Sequence, residues 1–400
     1  MRRVVLSLLV SWLCFAQGTV HDLERGDPVR SFVRFLQGKA DTIDMFLIKS
    51  FGDMVEMEVP DYIRAYAEGL VKEKRGDLKG ALESYLRSIR LNPGYNPSYF
   101  RFNDLIRRVE NPEVYREKIT AILMERFRKA PPVIVENPDG KYLFLVEKMS
   151  QYLFVFKGKK LVGLYPVTTG EDWEDKWREG DRRTPEGIYY FTRFIPPERL
   201  PRMYGGVAVV LNYPNPVDRL LKKGGGGIWL HGSEEGDRNR IPFSTRGCVV
   251  ASNEDLKDIT EKIKLGNTLI AVYKAIPEKI ALDDVREFIE EWKRSWEQKD
   301  IKKFFSFYSK RFTWKGGGLR EWKRYKKKVI LPRKFIRVSI DDLTILAFRR
   351  GLSEEVEYYV AEFFQRYRSD VYSDEGIKRL YIIKENGKLR ILKEEFSEGG

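Results

Sequence analysis

The stretch "GIWLHGSEEGDRNRIPFSTRGCVVASNEDL", Gly227 to Leu256, places His231 seventeen residues before Cys248, with Gly232 after the histidine and Gly247 before the cysteine. The 400-residue chain holds only two histidines and two cysteines, and the other pair, Cys14 and His21, lies at or beside what reads as an N-terminal leader. Seventeen residues cannot be neighbours by local geometry. The two side chains meet if the strand "GIWLH" and a strand or turn carrying "RGCVV" lie side by side in one sheet, which takes only an ordinary connecting loop.

That meeting would have chemical content. Thiolate is the nucleophilic form of cysteine, and a free thiol with pKa about 8.5 is mostly protonated at neutral pH. An imidazole beside it, unperturbed near 6.5, can take the proton and later return it to a leaving amine. Gly247 permits close backbone approach, so the amides of Gly247 and Cys248 can face a developing oxyanion. Gly232 leaves room beside the imidazole for a backbone carbonyl that fixes its tautomer. The plainer alternative is an inert buried thiol with an incidental histidine. A zinc site is short of ligands, since one nitrogen and one sulfur are fewer than zinc takes, so neither metal nor cofactor is expected. The glycine run Gly224 to Gly227 is not followed by Gly-Lys-Ser/Thr and reads as a flexible lid or hairpin edge, not as a phosphate loop.

The start, "MRRVVLSLLVSWLCFAQG", has two arginines, an apolar run from Val4 to Ala16 and then polar sequence, the layout of an export signal over residues 1–18. Cleavage after Ala16 would discard Cys14; a lipid attachment at Cys14 is disfavoured by Leu13, and an uncleaved anchor would be short for a hydrocarbon core of roughly 30 Å. The expected location is the periplasm or cell envelope, membrane-tethered if the signal stays. A single remaining cysteine cannot staple its own chain, which leaves intermolecular pairing or a reactive thiol. The net charge of +14 suits anionic envelope polymers better than nucleic acid in an exported protein.

Residues 19–130 read as helical. "YAEGLVKEKRGDLKGALESYLRSIRLNP" sets Gly69, Gly76, Ala81 and Ser88 around Tyr85 before Pro93, a spacing similar to one tetratricopeptide repeat, and no second clean copy follows. Packing, dimerisation or a protein partner is the expected use of this region. "KAPPVIVENPDG" then breaks the helical pattern, and after it the period becomes two: "KYLFLVEK", "QYLFVFKGKKLVGLYPV", "GIYYFTRF", "GVAVVLNY", "GIWLHG" and "NTLIAVY" read as short strands, with a hairpin turn at Gly158. A second break at "KAIPEKIALDD" precedes an amphipathic helix with Val285, Phe288, Ile289, Trp292 and Trp296 on one face. Strands return from Phe335 to Leu392, with a hairpin at Asn386-Gly387. The expected whole is multidomain α+β: helical 19–130, a mostly-β sandwich or barrel over 131–276, and an α+β cone over 281–397.

"YLFLVEKMSQYLFVFKGKKLVGLYPVTTG", "RRTPEGIYYF", "GIWLHG" and "STRGCVVASNEDL" fall in the order found in the L,D-transpeptidase catalytic domain of the YkuD or ErfK type, which the middle of the chain resembles from about Pro132 to Ala275. The tail resembles a nuclear-transport-factor-2-like domain. The resemblance implies a cell-wall enzyme whose cysteine, here Cys248, attacks the carbonyl of the third residue of a peptidoglycan stem tetrapeptide. D-alanine leaves, a thioester forms, and an amine of a second stem resolves it into a crosslink. His231 would be the base and Gly232 would supply the orienting carbonyl. Substrate contacts are expected from Trp229, Ser244, Thr245, Arg246 and Gly247.

Two positions depart from the family pattern. The common Ser-His-Gly-Cys is Thr245-Arg246-Gly247-Cys248, and the arginine often found two residues after the cysteine is Val250. "LNYPNPVDRLLKKGGGGIWLHG" resembles a subgroup that includes L,D-carboxypeptidases, which trim tetrapeptides to tripeptides and set cell shape. Hydrolysis is therefore the second expectation, and a catalytically silent wall-binding scaffold the third. The basic cluster Lys323, Arg324, Lys326, Lys327 and Lys328 beside Trp322 and Tyr325 reads as a solvated face or as a dock for anionic polymer.

Overall fold

The computed structural model describes residues 60–234, 241–314, 317–350 and 355–398. The expected leader and the first part of the expected helical region lie outside the described residues. The chain divides into two compact units, 1–118 and 119–400.

In the first unit, α1 (Asp61–Lys74), α2 (Leu78–Leu91) and α3 (Asn96–Leu105) follow one another through short turns. Asp77 caps α2 by accepting the Gly80 amide at 2.9 Å. The first two helices approach where a side chain is missing: a Cβ at Gly69 would sit 2.4 Å from the Tyr85 ring, so only glycine lets that ring seat. Ala81 and Ser88 are fully buried. The tetratricopeptide likeness of this region remains an expectation.

The second unit begins in the helix α4 (Pro112–Arg126) and contains eight strands that close on themselves. They are β2 (Tyr142–Glu147), β3 (Tyr152–Lys157), β4 (Lys160–Thr168), β5 (Gly187–Phe194), β6 (Ala208–Leu211), β7 (Trp229–His231), β8 (Val249–Ala251) and β9 (Leu269–Tyr273). The order around the ring is β2-β3-β4-β8-β7-β6-β5-β9. Of the sandwich or barrel expected here, the structure takes the closed barrel and not the sandwich, and the reason lies in two strands that change partner midway. β4 pairs with β3 up to Pro166 and with β8 at Val167 and Thr168. β5 pairs with β9 from Gly187 to Tyr190 and with β6 from Phe191 onward. Such switching strands make corners, and two of them leave neither sheet with an open edge. Phe144, Val155, Phe191, Leu230, Val249 and Ile270 fill the single apolar interior.

Beyond the barrel come α5 (Pro216–Leu220) and α6 (Asn253–Glu261) in its connections, then α7 (Val285–Glu297), α8 (Ile301–Ser306), the short pair β10 (Thr313–Trp314) and β11 (Gly317–Gly318), and α9 (Leu319–Ile330). A five-stranded sheet runs in the order β1-β12-β13-β14-β15, with β12 (Ile336–Phe348), β13 (Tyr358–Ser369), β14 (Ser373–Glu385) and β15 (Lys388–Glu398). The face of α7 read from the sequence is the one buried: Val285, Ile289, Trp292 and Trp296 pack on this sheet. Asn386 and Gly387, both at positive φ, make the tight turn between β14 and β15. The edge strand β1 (Ile134–Glu136) pairs with β12 and belongs to this C-terminal sheet, although it precedes the barrel in sequence. On α9, Lys326 does not share the solvated face of Arg324, Lys327 and Lys328. It turns inward, 4.4 Å from the Trp296 ring and 4.6 Å from the Trp322 ring, and burial pulls its ammonium down to about 8 against the opposing pull of Glu394.

The end of α4 is tied to the barrel by a buried ion pair in which one guanidinium nitrogen meets both carboxylate oxygens. Arg126 reaches both carboxylate oxygens of Glu147 at 2.9 and 3.0 Å and donates to the Ile276 carbonyl at 2.8 Å, while Glu147 accepts the Ile276 amide at 2.8 Å. Breaking a buried pair from one side strands the other charge. Arg126→Met is expected to lower the unfolding free energy by about 3 to 5 kcal/mol, read from urea midpoints with an unchanged denaturant slope.

Candidate active site

The barrel places β7 between antiparallel β6 and parallel β8, with Leu230 opposite Val249 and His231 opposite Val250. Leu230 and Val249 are fully buried in the barrel interior. Strand side chains alternate, so Trp229 and His231 lie on the outer face of β7, with Cys248 and Val250 on the same face of the neighbouring segment. Extending the register by one residue sets Cys248 opposite Trp229, one same-face step from His231. The only histidine and the only cysteine among the described residues therefore lie on adjacent segments, His231 at the end of β7 and Cys248 directly before β8.

His231 is 8% exposed, and its Nδ1 lies 2.5 Å from the Gly232 carbonyl oxygen. A carbonyl can only accept, so Nδ1 carries the proton and Nε2 is the basic nitrogen. The Tyr204 ring stands edge-on to the imidazole at 4.8 Å and touches the Trp229 ring at 5.0 Å. Behind Gly232, the Asn253 side chain accepts the Ser233 amide at 3.1 Å and donates to the Ser233 carbonyl at 2.9 Å. It fills the space that side chains at Gly205 and Gly232 would need. Asn253 thus anchors the turn whose carbonyl holds the imidazole. Sequence reading passed over it, because an asparagine at the start of a helix looks like a cap.

The Cys248 thiol faces the Gly227 carbonyl oxygen at 3.6 Å. Burial pushes its pKa up; the Trp229 amide at the sulfur and the positive charge of Lys176 oppose this without prevailing. The sequence reading had the thiol ionised by a nearby imidazole. In this structure burial favours the neutral form of the thiol.

The other residues expected at the site divide by role. Thr245 is buried and staples the turn, donating its hydroxyl to the Cys248 carbonyl at 2.7 Å and accepting the Gly247 amide at 3.1 Å. The Gly247 amide is therefore committed and does not face a substrate. Glycine is required there nonetheless: φ is +122° and a Cβ would lie 2.7 Å from the Arg183 carbonyl oxygen. Ser244 donates to the Ile241 carbonyl at 2.8 Å and braces the preceding loop. Arg246 is exposed two residues before Cys248, and Trp229 is half-buried. Val250, where the family often has arginine, is 1% exposed. The glycine run is no loose lid: the Gly224 amide donates to the Trp177 carbonyl at 2.9 Å, and Gly227 presents its carbonyl to the sulfur.

Among the described residues no cluster of three or more His, Cys, Asp or Glu side chains is arranged to hold a metal ion. No helix of the described residues is long and apolar enough to cross a membrane. A thiol held above its ordinary range makes a clear kinetic forecast. Alkylation of Cys248 by iodoacetamide should climb about tenfold per pH unit between pH 6 and 8.5, since only the thiolate reacts. A plateau near neutrality would mean a standing thiolate–imidazolium pair.

Comparison with known proteins agrees with this architecture. The L,D-transpeptidase catalytic domain matches residues 141–272, and the Cds6 C-terminal NTF2-like domain matches residues 284–395. Among solved structures, Bd1075 of Bdellovibrio bacteriovorus is similar at 27% identity, with a TM-score of 0.57 over 68% of this chain and 99% of that one. The helical cell shape determining protein Pgp2 of Campylobacter jejuni is similar at 25% identity, with a TM-score of 0.53 over 68% of this chain and 97% of that one. No match emerges among curated proteins. The barrel that carries His231 and Cys248 is an L,D-transpeptidase catalytic domain, and the chain joins it to a C-terminal NTF2-like domain.

Proposed function

We propose that this protein is an exported cysteine enzyme of peptidoglycan that opens the bond between the third and fourth residues of a stem tetrapeptide. The observation that carries the reading is the parallel pairing of β7 with β8, which sets His231 beside the strand that Cys248 directly precedes, with the imidazole tautomer fixed by the Gly232 carbonyl. Nε2 takes the thiol proton as sulfur attacks the third-residue carbonyl. The Cys248 amide is the oxyanion donor, since that of Gly247 is held by Thr245. The proton on Nε2 then passes to the departing D-alanine amine, and a thioester remains. Transfer of the acyl group to an amine of a second stem is the fate that the family match supports.

Hydrolysis of the same thioester to a tripeptide is the second reading, and Val250 favours it. A buried valine on the face of the site supplies no cation where the family often offers a guanidinium to a carboxylate. The likeness to a cell shape determining protein supports a role in wall remodelling under either fate.

Incubation of the purified chain with tetrapeptide muropeptides, followed by product masses, separates the fates: crosslinked dimers for transfer, tripeptide alone for hydrolysis. Cys248→Ala is expected to lower turnover by at least about a thousandfold. Absence of turnover, with Cys248→Ala restoring the wall composition of a deletion strain, would leave a wall-binding scaffold in place of an enzyme.

A further inference from the structure

The connection between β4 and β5, residues 170–186, grips the candidate site on two sides. On one side it holds the turn before the nucleophile. Gly170 bridges Thr245, the Glu171 amide donates to the Thr245 carbonyl at 2.9 Å, and the Arg183 carbonyl oxygen packs where a Gly247 side chain would be. On the other side its Trp177 carbonyl receives the Gly224 amide, fixing the glycine run that offers the Gly227 carbonyl to the thiol. Between these grips Lys176, 3% exposed, is the cation felt by Cys248. Asp181 holds that lysine at 2.6 Å and accepts the Trp177 and Arg178 amides at 2.8 and 2.9 Å.

The loop is in turn anchored by buried charge. Asp175 accepts the Glu186 amide at 2.8 Å and pairs with Lys223 at 2.9 Å. Lys223 also pairs with Asp218 at 3.1 Å, and Lys148 pairs with Glu186 at 2.7 Å. Within the barrel domain this gives three buried carboxylates, Asp175, Asp218 and Glu186, against two buried ammonium groups. The missing positive charge comes from the C-terminal domain: Arg350, just after β12, forms an ion pair with Asp175 and is itself oriented by Glu357 at 3.0 Å. Its guanidinium also lies 5.6 Å from the Trp177 ring. Beside it, the Tyr358 hydroxyl accepts the Ile188 amide at 2.7 Å at the start of β5. Low dielectric makes an uncompensated carboxylate costly, so the loop keeps this conformation while the guanidinium is in place.

We propose that Arg350 of the C-terminal domain is a positioning residue for the active site, holding residues 170–186 through Asp175 so that Lys176 and the glycine run stay set around Cys248. The proposal rests on reading Cys248 as the nucleophile, but it does not depend on which acceptor resolves the thioester. It makes the NTF2-like domain a structural part of the catalytic apparatus as well as an appendage to it.

The test uses the full chain with Arg350→Met, Arg350→Lys and Asp175→Asn, and two readouts: the iodoacetamide alkylation rate of Cys248 at pH 7.5, and kcat and KM on tetrapeptide muropeptide. R350M is expected to slow alkylation about threefold as the thiol loses its cation, and to lower kcat about tenfold as the site loosens, with KM little changed. R350K should recover most of both. On a D175N background R350M should change neither further, because the two residues act through one contact. The proposal is overturned if R350M leaves alkylation and kcat within twofold of the parent, if it accelerates alkylation, if R350K is as impaired as R350M, or if the R350M and D175N effects multiply. Should the parent chain alkylate normally yet turn over no muropeptide, the enzymatic reading fails, and the alkylation arm still decides whether Arg350 acts on Cys248.

Discussion

A short parallel register carries this molecule: Leu230 beside Val249 and His231 beside Val250. Because side chains alternate along a strand, the one pairing that sinks Leu230 and Val249 into the apolar interior also turns His231 and Cys248 to the opposite face together. A slip of one residue would turn the imidazole into the apolar interior and core residues out of it. The hydrophobic demand of the barrel and the chemical demand of the site are therefore met by the same register, and loss of one would mean loss of the other.

Around that pairing, desolvation decides the protonation state. Burial pushes the Cys248 thiol pKa up, and the Trp229 amide and the charge of Lys176 oppose it. The turn preceding Cys248 follows the same economy. Thr245 binds the Gly247 amide and the Cys248 carbonyl internally, which stiffens the backbone at Cys248 and leaves fewer groups to solvent.

The second organising feature is charge taken out of water. Loop 170–186 has little apolar surface of its own in the barrel interior, and its conformation is fixed by carboxylates that accept backbone amides and pair with lysines from distant parts of the chain. Arg350 adds a cation from another domain to this set. The exchange between domains runs in both directions, since β1, from the barrel's side of the sequence, completes the edge of the C-terminal sheet.

Much of this was legible in the order of residues. Alternation in "YLFLVEK" and "YLFVFKGKKLVGLYPV" gave the strands and their hairpin, the spacing of Val285, Ile289, Trp292 and Trp296 gave the buried face of α7, and the scarcity of histidine and cysteine singled out His231 and Cys248. These are local patterns or simple counts, and a sequence determines them by itself. Closure of the barrel, the transfer of β1 to the other sheet, the inward turn of Lys326, the commitment of the Gly247 amide, the anchoring role of Asn253 and the protonation of Cys248 were decided only in three dimensions. Each depends on which distant groups come to share a low-dielectric space, and the energies of desolvation and pairing that settle such questions exist only once the chain has folded.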